Sequence, residues 1–280
     1  MTSVDLGARA DRSGSPRPVG ALNRTSAIGL GVTMTWFSLL VLIPLTAVIA
    51  TATEGGVEAF WRAVTNEQTA HAIRLTVLSA LAVTVTNVFA GTAIAWVLVR
   101  DRFPGKAVLE VLIDIPFALP TIVAGLVLLS LYGQDSPLGI DIANTGTSVY
   151  LAFLFVTLPF VVRTVQPVLE ELDLEIEEAA ASLGASRFTT FTRIILPTLT
   201  PAIAAGATLS FARAVGEYGS LVLLSGNLPF ESEVASVRIL SAIENDNPAA
   251  AASVATLLLI VALVVIVLLD FIQRRVARRG

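Results

Sequence analysis

Four ionisable residues stand inside otherwise apolar stretches of this 280-residue chain: Asp114, Arg163, Arg213 and Glu217. A charge in such a setting needs an opposite charge, a hydrogen-bond partner or water. Arg213 and Glu217 are four residues apart, one helical turn on the same face, and the spacing predicts that they pair. The sharper alternative puts Arg213 on a route taken by an anion. Arg163 suits such a route, or a side chain that snorkels to a nearby surface. Asp114 suits a hydrogen-bond acceptor or pair partner, because a carboxylate repels anions. Four groups of mixed sign are too few for acid–base catalysis, which needs a matched donor and acceptor within reach of one substrate. Cysteine is absent, so thiolate nucleophiles, thiolate metal sites and disulfides are excluded. The single histidine, His71, leaves a histidine-rich metal site without ligands, and it reads as a surface side chain. No G-x4-G-K-[ST] phosphate loop occurs, so any use of ATP needs another chain.

The elements that carry these charges are membrane helices. Hydrophobic residues make up 55% of the chain and charged ones 14%, far from the balance of a soluble domain. Six stretches have the length and polarity of a span: about 26–50, 75–99, 111–133, 148–169, 199–225 and 249–269. Backbone groups in lipid must be satisfied within the segment, so the expected fold class is an all-α membrane protein. Pro116, Pro120 and Gly125 are expected to bend the third span and free carbonyls toward a polar route. In the fifth, Ala202, Gly206, Ser210 and Ala214 recur every four residues, a small-residue face for close helix packing.

Orientation follows from Lys and Arg in the short loops. With the N-terminus inside, the inner segments hold about thirteen (Arg100, Arg102 and Lys106 among them) and the outer loops only Arg62, Arg74 and Arg238. Both termini are then cytoplasmic. Residues 1–25 form a polar tail without a pattern for order, and 271–280 a basic tail. Ala50-Thr51-Ala52 resembles a cleavage site, but the preceding apolar run of about 23 residues is too long for a signal peptide.

Between the fourth and fifth spans lies a loop, residues 170–197, that reads as two short helices about Gly184. The first is acidic and ends in three alanines; Gly184 suits the left-handed turn that closes it. The second carries Phe188, Phe191, Ile194 and Ile195 at helical spacing and is closed by Pro197. An acidic amphipathic hairpin suits a protein groove better than a lipid surface, which favours Lys and Arg.

Glu178-Ala179-Ala180, Gly184 four residues on, and Ile194-x-Leu196-Pro197 ten residues past that glycine resemble the EAA loop of ABC importer permeases. The resemblance implies a type I permease fold with six spans in a bacterial inner membrane. It also implies that the loop docks in a cytoplasmic ATPase subunit, with Glu178, Ala179, Ala180, Leu183, Gly184, Ala185 and Phe188 making the contact. ATP and magnesium would then be bound by two copies of that ATPase and no cofactor by this chain. Phe211-Ala212-Arg213 with Gly216-Glu217-Tyr218-Gly219-Ser220, and Glu233-Val234-Ala235-Ser236, resemble the sulfate/thiosulfate branch, and within it the first of two permease subunits. That implies a heterodimer with a second, similar permease and an extracytoplasmic sulfate-binding protein. Such a protein would resolve an electrostatic conflict, since the outer loops carry about nine carboxylates against three basic groups and would repel a free dianion. Arg213, Glu217, Arg163 and Pro120 are the candidates for the translocation path.

Molybdate or tungstate permeases, with a related span-five motif, are the nearest alternative. An ATP-independent secondary anion transporter would be marked by inverted repeats with paired broken helices. No clear repeat is visible, and that class leaves the loop unexplained. Nucleic acid is not expected as a partner: a net charge of -4, scattered along the chain, offers no basic patch.

Overall fold

The computed structural model describes residues 24–277, so the expected N-terminal tail and the last residues of the basic C-terminal tail lie outside it. The chain divides into two compact units, Met1–Ala47 and Val48–Gly280. In the first, α1 (Arg24–Phe37) leads into a π-helical turn at Ser38–Leu42. Nearly every side chain from Ser26 onward is exposed, as lipid-facing residues would be. Its hydroxyls fold back on the helix: Thr33 and Thr35 each donate to the carbonyl four residues earlier at 2.9 Å.

Helix α2 (Ile43–Thr53) runs across the boundary between the units, and the second unit continues with the short α3 (Gly56–Thr65). Then come α4 (Glu67–Arg100), α5 (Lys106–Ala118), α6 (Thr121–Tyr132) and α7 (Gly146–Glu171). The remainder is α8 (Leu174–Ser182), α9 (Arg187–Val215), α10 (Gly219–Leu224), α11 (Ala235–Glu244) and α12 (Pro248–Ala277). Among the described residues, five helical runs are long and apolar enough to cross a membrane, and α5 with α6 makes a sixth if counted as one bent span.

Four of the expected spans differ in kind or extent; the sixth, α12, runs on to Ala277 instead of ending near 269. The second starts at Glu67 because the Asn66 side chain accepts from the amides of Gln68 and Thr69, capping a helix of 34 residues. The third is broken: α5 and α6 meet at 118°, with Leu119 and Pro120 both extended between them. Proline disfavours a helical residue before it, and Leu119 is that residue. The Pro120 carbonyl accepts from the amides of Val123 and Ala124 at the start of α6.

The fifth begins twelve residues early, at Arg187, and stops at Val215 rather than near 225. Pro197 does not close the loop's second helix. A π-helical turn over Phe191–Ile195 widens the helix where the proline ring would strike the preceding turn, and α9 runs through.

The core lies where α4, α7 and α9 pack together. One apolar cluster includes Val83, Phe153, Phe211 and Leu221, and a second includes Leu98, Val165, Leu169 and Leu199. Polar residues also meet across these three helices. Fully buried Asn87 donates to Thr157 Oγ1 at 2.7 Å and to Ser210 Oγ at 3.1 Å. The small-residue face of α9 works as expected: a side chain at Gly206 would run into Thr164 and come within 2.9 Å of the Val161 backbone. Ser210 and Ala214 are buried on the same stripe.

Candidate functional site

The hairpin loop is built by its capping residues. Asp173 opens α8 by accepting from the Glu175 amide at 3.1 Å. Two bonds close it: the Gly184 amide to Ala181 O at 2.9 Å and the Ala185 amide to Ala180 O at 3.0 Å. That pattern requires a left-handed residue at position 184, and Gly184 has φ +84°. Ser186 then opens α9 by accepting from the Thr189 amide at 3.2 Å.

This geometry sorts the expected contact residues. Leu183 (90% exposed) and Phe188 (76%) stand uncovered on either side of the turn, and Glu178, Ala179 and Gly184 are exposed with them. Ala180 differs: it is buried within the chain. Ala185 is half-buried.

The intramembrane charges are paired, in two separate groups. Arg163 grips Asp114 with two bonds, Nε to Oδ1 at 2.8 Å and Nη2 to Oδ2 at 2.5 Å. Its Nη1 donates to Gln166 at 2.9 Å, and Gln166 donates on to Glu170 at 2.9 Å. Arg163 is thus a fork between α7 and α5, not a snorkelling side chain. Arg213 Nη1 lies 2.5 Å from Glu217 Oε2. The pair forms as the spacing predicts, but not along one helix, because Glu217 lies past the end of α9. Its other oxygen accepts from the Ser220 amide and hydroxyl, both at 2.9 Å, and so organises the start of α10. With 1% exposure Glu217 is the most deeply buried carboxylate described, and its three donors offset the cost of that burial. Among the described residues no hydrogen bond or ion pair links the Arg163 and Arg213 groups.

Two sequence segments used separately as markers meet here. Ser236 donates from its hydroxyl to the Glu217 carbonyl at 2.7 Å, joining Gly216–Ser220 to Glu233–Ser236. Glu233 accepts from Gln68 at 2.7 Å, and the Ala235 amide donates to Thr76 at 2.8 Å. The two half-helices α6 and α10 touch backbone to backbone, since a side chain at Gly125 would come within 2.5 Å of Ser220 O. His71 is not a free surface side chain: it is half-buried and meets Phe230 edge to face at 6.0 Å.

Sequence reasoning missed Arg100, which lies 2.6 Å from Glu177. Neighbouring Trp96, one turn earlier on α4, was the available signal, but nothing in sequence pairs it with residue 177. Among the described residues no group of three or more acidic or histidine side chains could hold a metal ion.

Apolar membrane helices, one broken span and a capped hairpin fit the membrane subunit of a transporter. The chain belongs to the family of binding-protein-dependent transport system inner membrane components, whose profile matches residues 87–279. More narrowly, it is 44% identical over 246 residues to the sulfate transport system permease protein CysT of Synechocystis sp., covering 83% of this chain and 86% of that one. It is 41% identical over 232 residues to the Escherichia coli protein of the same name, covering 80% and 84%. In fold it resembles a crystal structure of a bacterial ABC transporter involved in the import of the acidic polysaccharide alginate, with TM-score 0.74, 17% identity and coverage of 89% and 94%. An alginate ABC transporter in complex with a pentasaccharide-bound periplasmic protein matches equally, with TM-score 0.74, 16% identity and coverage of 90% and 94%.

Proposed function

We propose that this chain is the permease subunit of an ATP-driven importer that moves sulfate, and with it thiosulfate, into the cell. The observation that carries the reading is the similarity over four-fifths of the chain to permeases named for sulfate transport. The hairpin supports the ATP-driven part, since a rigid turn flanked by exposed Leu183 and Phe188 fits a cleft in a partner. In this reading the hairpin end and both termini are cytoplasmic, two ATPase subunits bind ATP and magnesium, and a second permease completes the pathway. An extracytoplasmic binding protein delivers the anion to an acidic outer face that would otherwise repel it. The chain itself has no enzymatic step. ATP closes the ATPase pair, the hairpin moves with it, and the spans shift between inward- and outward-open populations. Arg213, 32% exposed in its side chain beside buried Glu217, is a cation that could meet a dianion on the way, as is Arg163 at 34%.

An ATP-independent carrier was expected to show inverted repeats with paired broken helices; one broken span is seen among the described residues, and the hairpin supports the ATP-driven class. The test is labelled sulfate uptake in sulfate-starved cells with and without this gene, challenged by unlabelled thiosulfate and molybdate. Loss of uptake without the gene, with competition by thiosulfate, is expected. Unchanged sulfate uptake with collapsed molybdate accumulation would move the assignment to the molybdate and tungstate permeases.

A further inference from the structure

We propose that Arg100 and Glu177 form a strut that carries motion of the hairpin into α4, which makes Arg100 a positioning residue for coupling. The proposal rests on reading the hairpin as the ATPase contact. Arg100 is the last residue of α4, and its Nη2 lies 2.6 Å from Glu177 Oε1 on α8 and 3.5 Å from the Leu172 carbonyl oxygen between α7 and α8. Its guanidinium carbon lies 5.9 Å from the centre of the Trp96 ring, one turn back on α4. That ring in turn meets Phe191 of α9 edge to face at 5.6 Å. One end of a single helix therefore holds both arms of the hairpin, α8 through an ion pair and α9 through an aromatic contact.

The pair is sheltered, with side chains 13% and 26% exposed, so water and salt screen it less than an ordinary surface pair. Among the described residues it is the one side-chain hydrogen bond that ties α8 to another helix. Glu175, Ile176, Glu178 and Ala179 are exposed, and Ala180 is the one buried side chain described on that helix. Without Glu177, a push on the turn would swivel α8 instead of displacing the bundle. At its far end α4 bonds to Glu233 through Gln68 and to the Ala235 amide through Thr76, and the adjoining Ser236 holds Glu217. A continuous helix of 34 residues thus reaches from the hairpin to the segment that fixes Glu217. Adjacency becomes coupling only if breaking the strut separates hydrolysis from transport.

The experiment uses the complete transporter, purified through a tag on this chain and reconstituted with its binding protein. It measures labelled sulfate imported per ATP hydrolysed. Arg100→Glu and Glu177→Arg each lower that ratio at least fivefold while hydrolysis continues, and the double variant with charges exchanged recovers to within twofold of wild type. Arg100→Lys, which keeps the charge and loses the fork, gives an intermediate ratio and covers the case in which a reversal variant fails to assemble. Ratios unchanged in the single variants and in Arg100→Lys overturn the strut, as does a charge exchange that restores nothing. A Gly184→Pro arm separates the two readings. If Gly184→Pro transports normally, the hairpin reading itself has failed; if it is inactive while the Arg100 and Glu177 variants stay coupled, only the strut has.

Discussion

Gly125 is the position where the packing of α6 against α10 can be tested most sharply. A Cβ placed there would lie 2.5 Å from Ser220 O and 2.8 Å from Ser220 Cα. The first approach falls about 0.9 Å short of the 3.4 Å at which ordinary contact begins, and both obstacles are backbone, which no rotamer change relieves. Gly125→Ala therefore separates α6 from α10 by most of an ångström. Overpacking of this kind costs about 1–3 kcal/mol, roughly 5- to 150-fold in a conformational equilibrium. The displaced residue is Ser220, whose amide and hydroxyl hold Glu217, so the Arg213 pair is loosened as well. Gly31→Ala is the control, because nothing lies within 4 Å of a Cβ at Gly31. The assay is labelled sulfate uptake beside the melting temperature of the purified complex. Gly125→Ala is expected to reduce both and Gly31→Ala neither. Wild-type melting and uptake in Gly125→Ala would refute the seam.

Replacing both members of the second intramembrane pair, as Arg213→Gln with Glu217→Gln, is expected to recover the folded yield that Glu217→Gln alone loses by leaving Arg213 without its charge partner; if Arg213 meets the anion, uptake by the double variant stays low. Asn87→Leu removes bonds to Thr157 and Ser210 across α4, α7 and α9. At about 0.6 kcal/mol for a typical interhelical bond in membranes, two such bonds predict a modest fall in melting temperature and no change in hairpin contacts; a rise in melting temperature contradicts the bonds as drawn. Leu183→Glu and Phe188→Glu change side chains that touch little within the chain, so membrane insertion should be normal while the ATPase no longer copurifies. Normal copurification of both variants would deny the turn its docking role.

Much of this was legible because membrane segments and capping motifs are local. Six apolar stretches, the left-handed Gly184 and the Arg213–Glu217 pair each follow from residues a few positions apart. What was not legible depended on competition between neighbours. Pro120 breaks the third span because Leu119 before it goes extended, whereas Pro197 breaks nothing because a π turn makes room. Periodicity alone does not distinguish those outcomes. Glu217 was read as a mid-helix charge, but its carboxylate serves the next helix through Ser220. Long-range partners left no local trace: Arg163 with Asp114, Arg100 with Glu177 and Ser236 with Glu217 are separated by 49, 77 and 19 residues.

The most direct test of the central claim is sulfate accumulation in sealed proteoliposomes holding the complete transporter, with ATP on the hairpin side and loaded binding protein on the other. The account predicts accumulation that requires both ATP and the binding protein and disappears in Gly184→Pro. Accumulation without ATP, or undiminished in the proline variant, would contradict it.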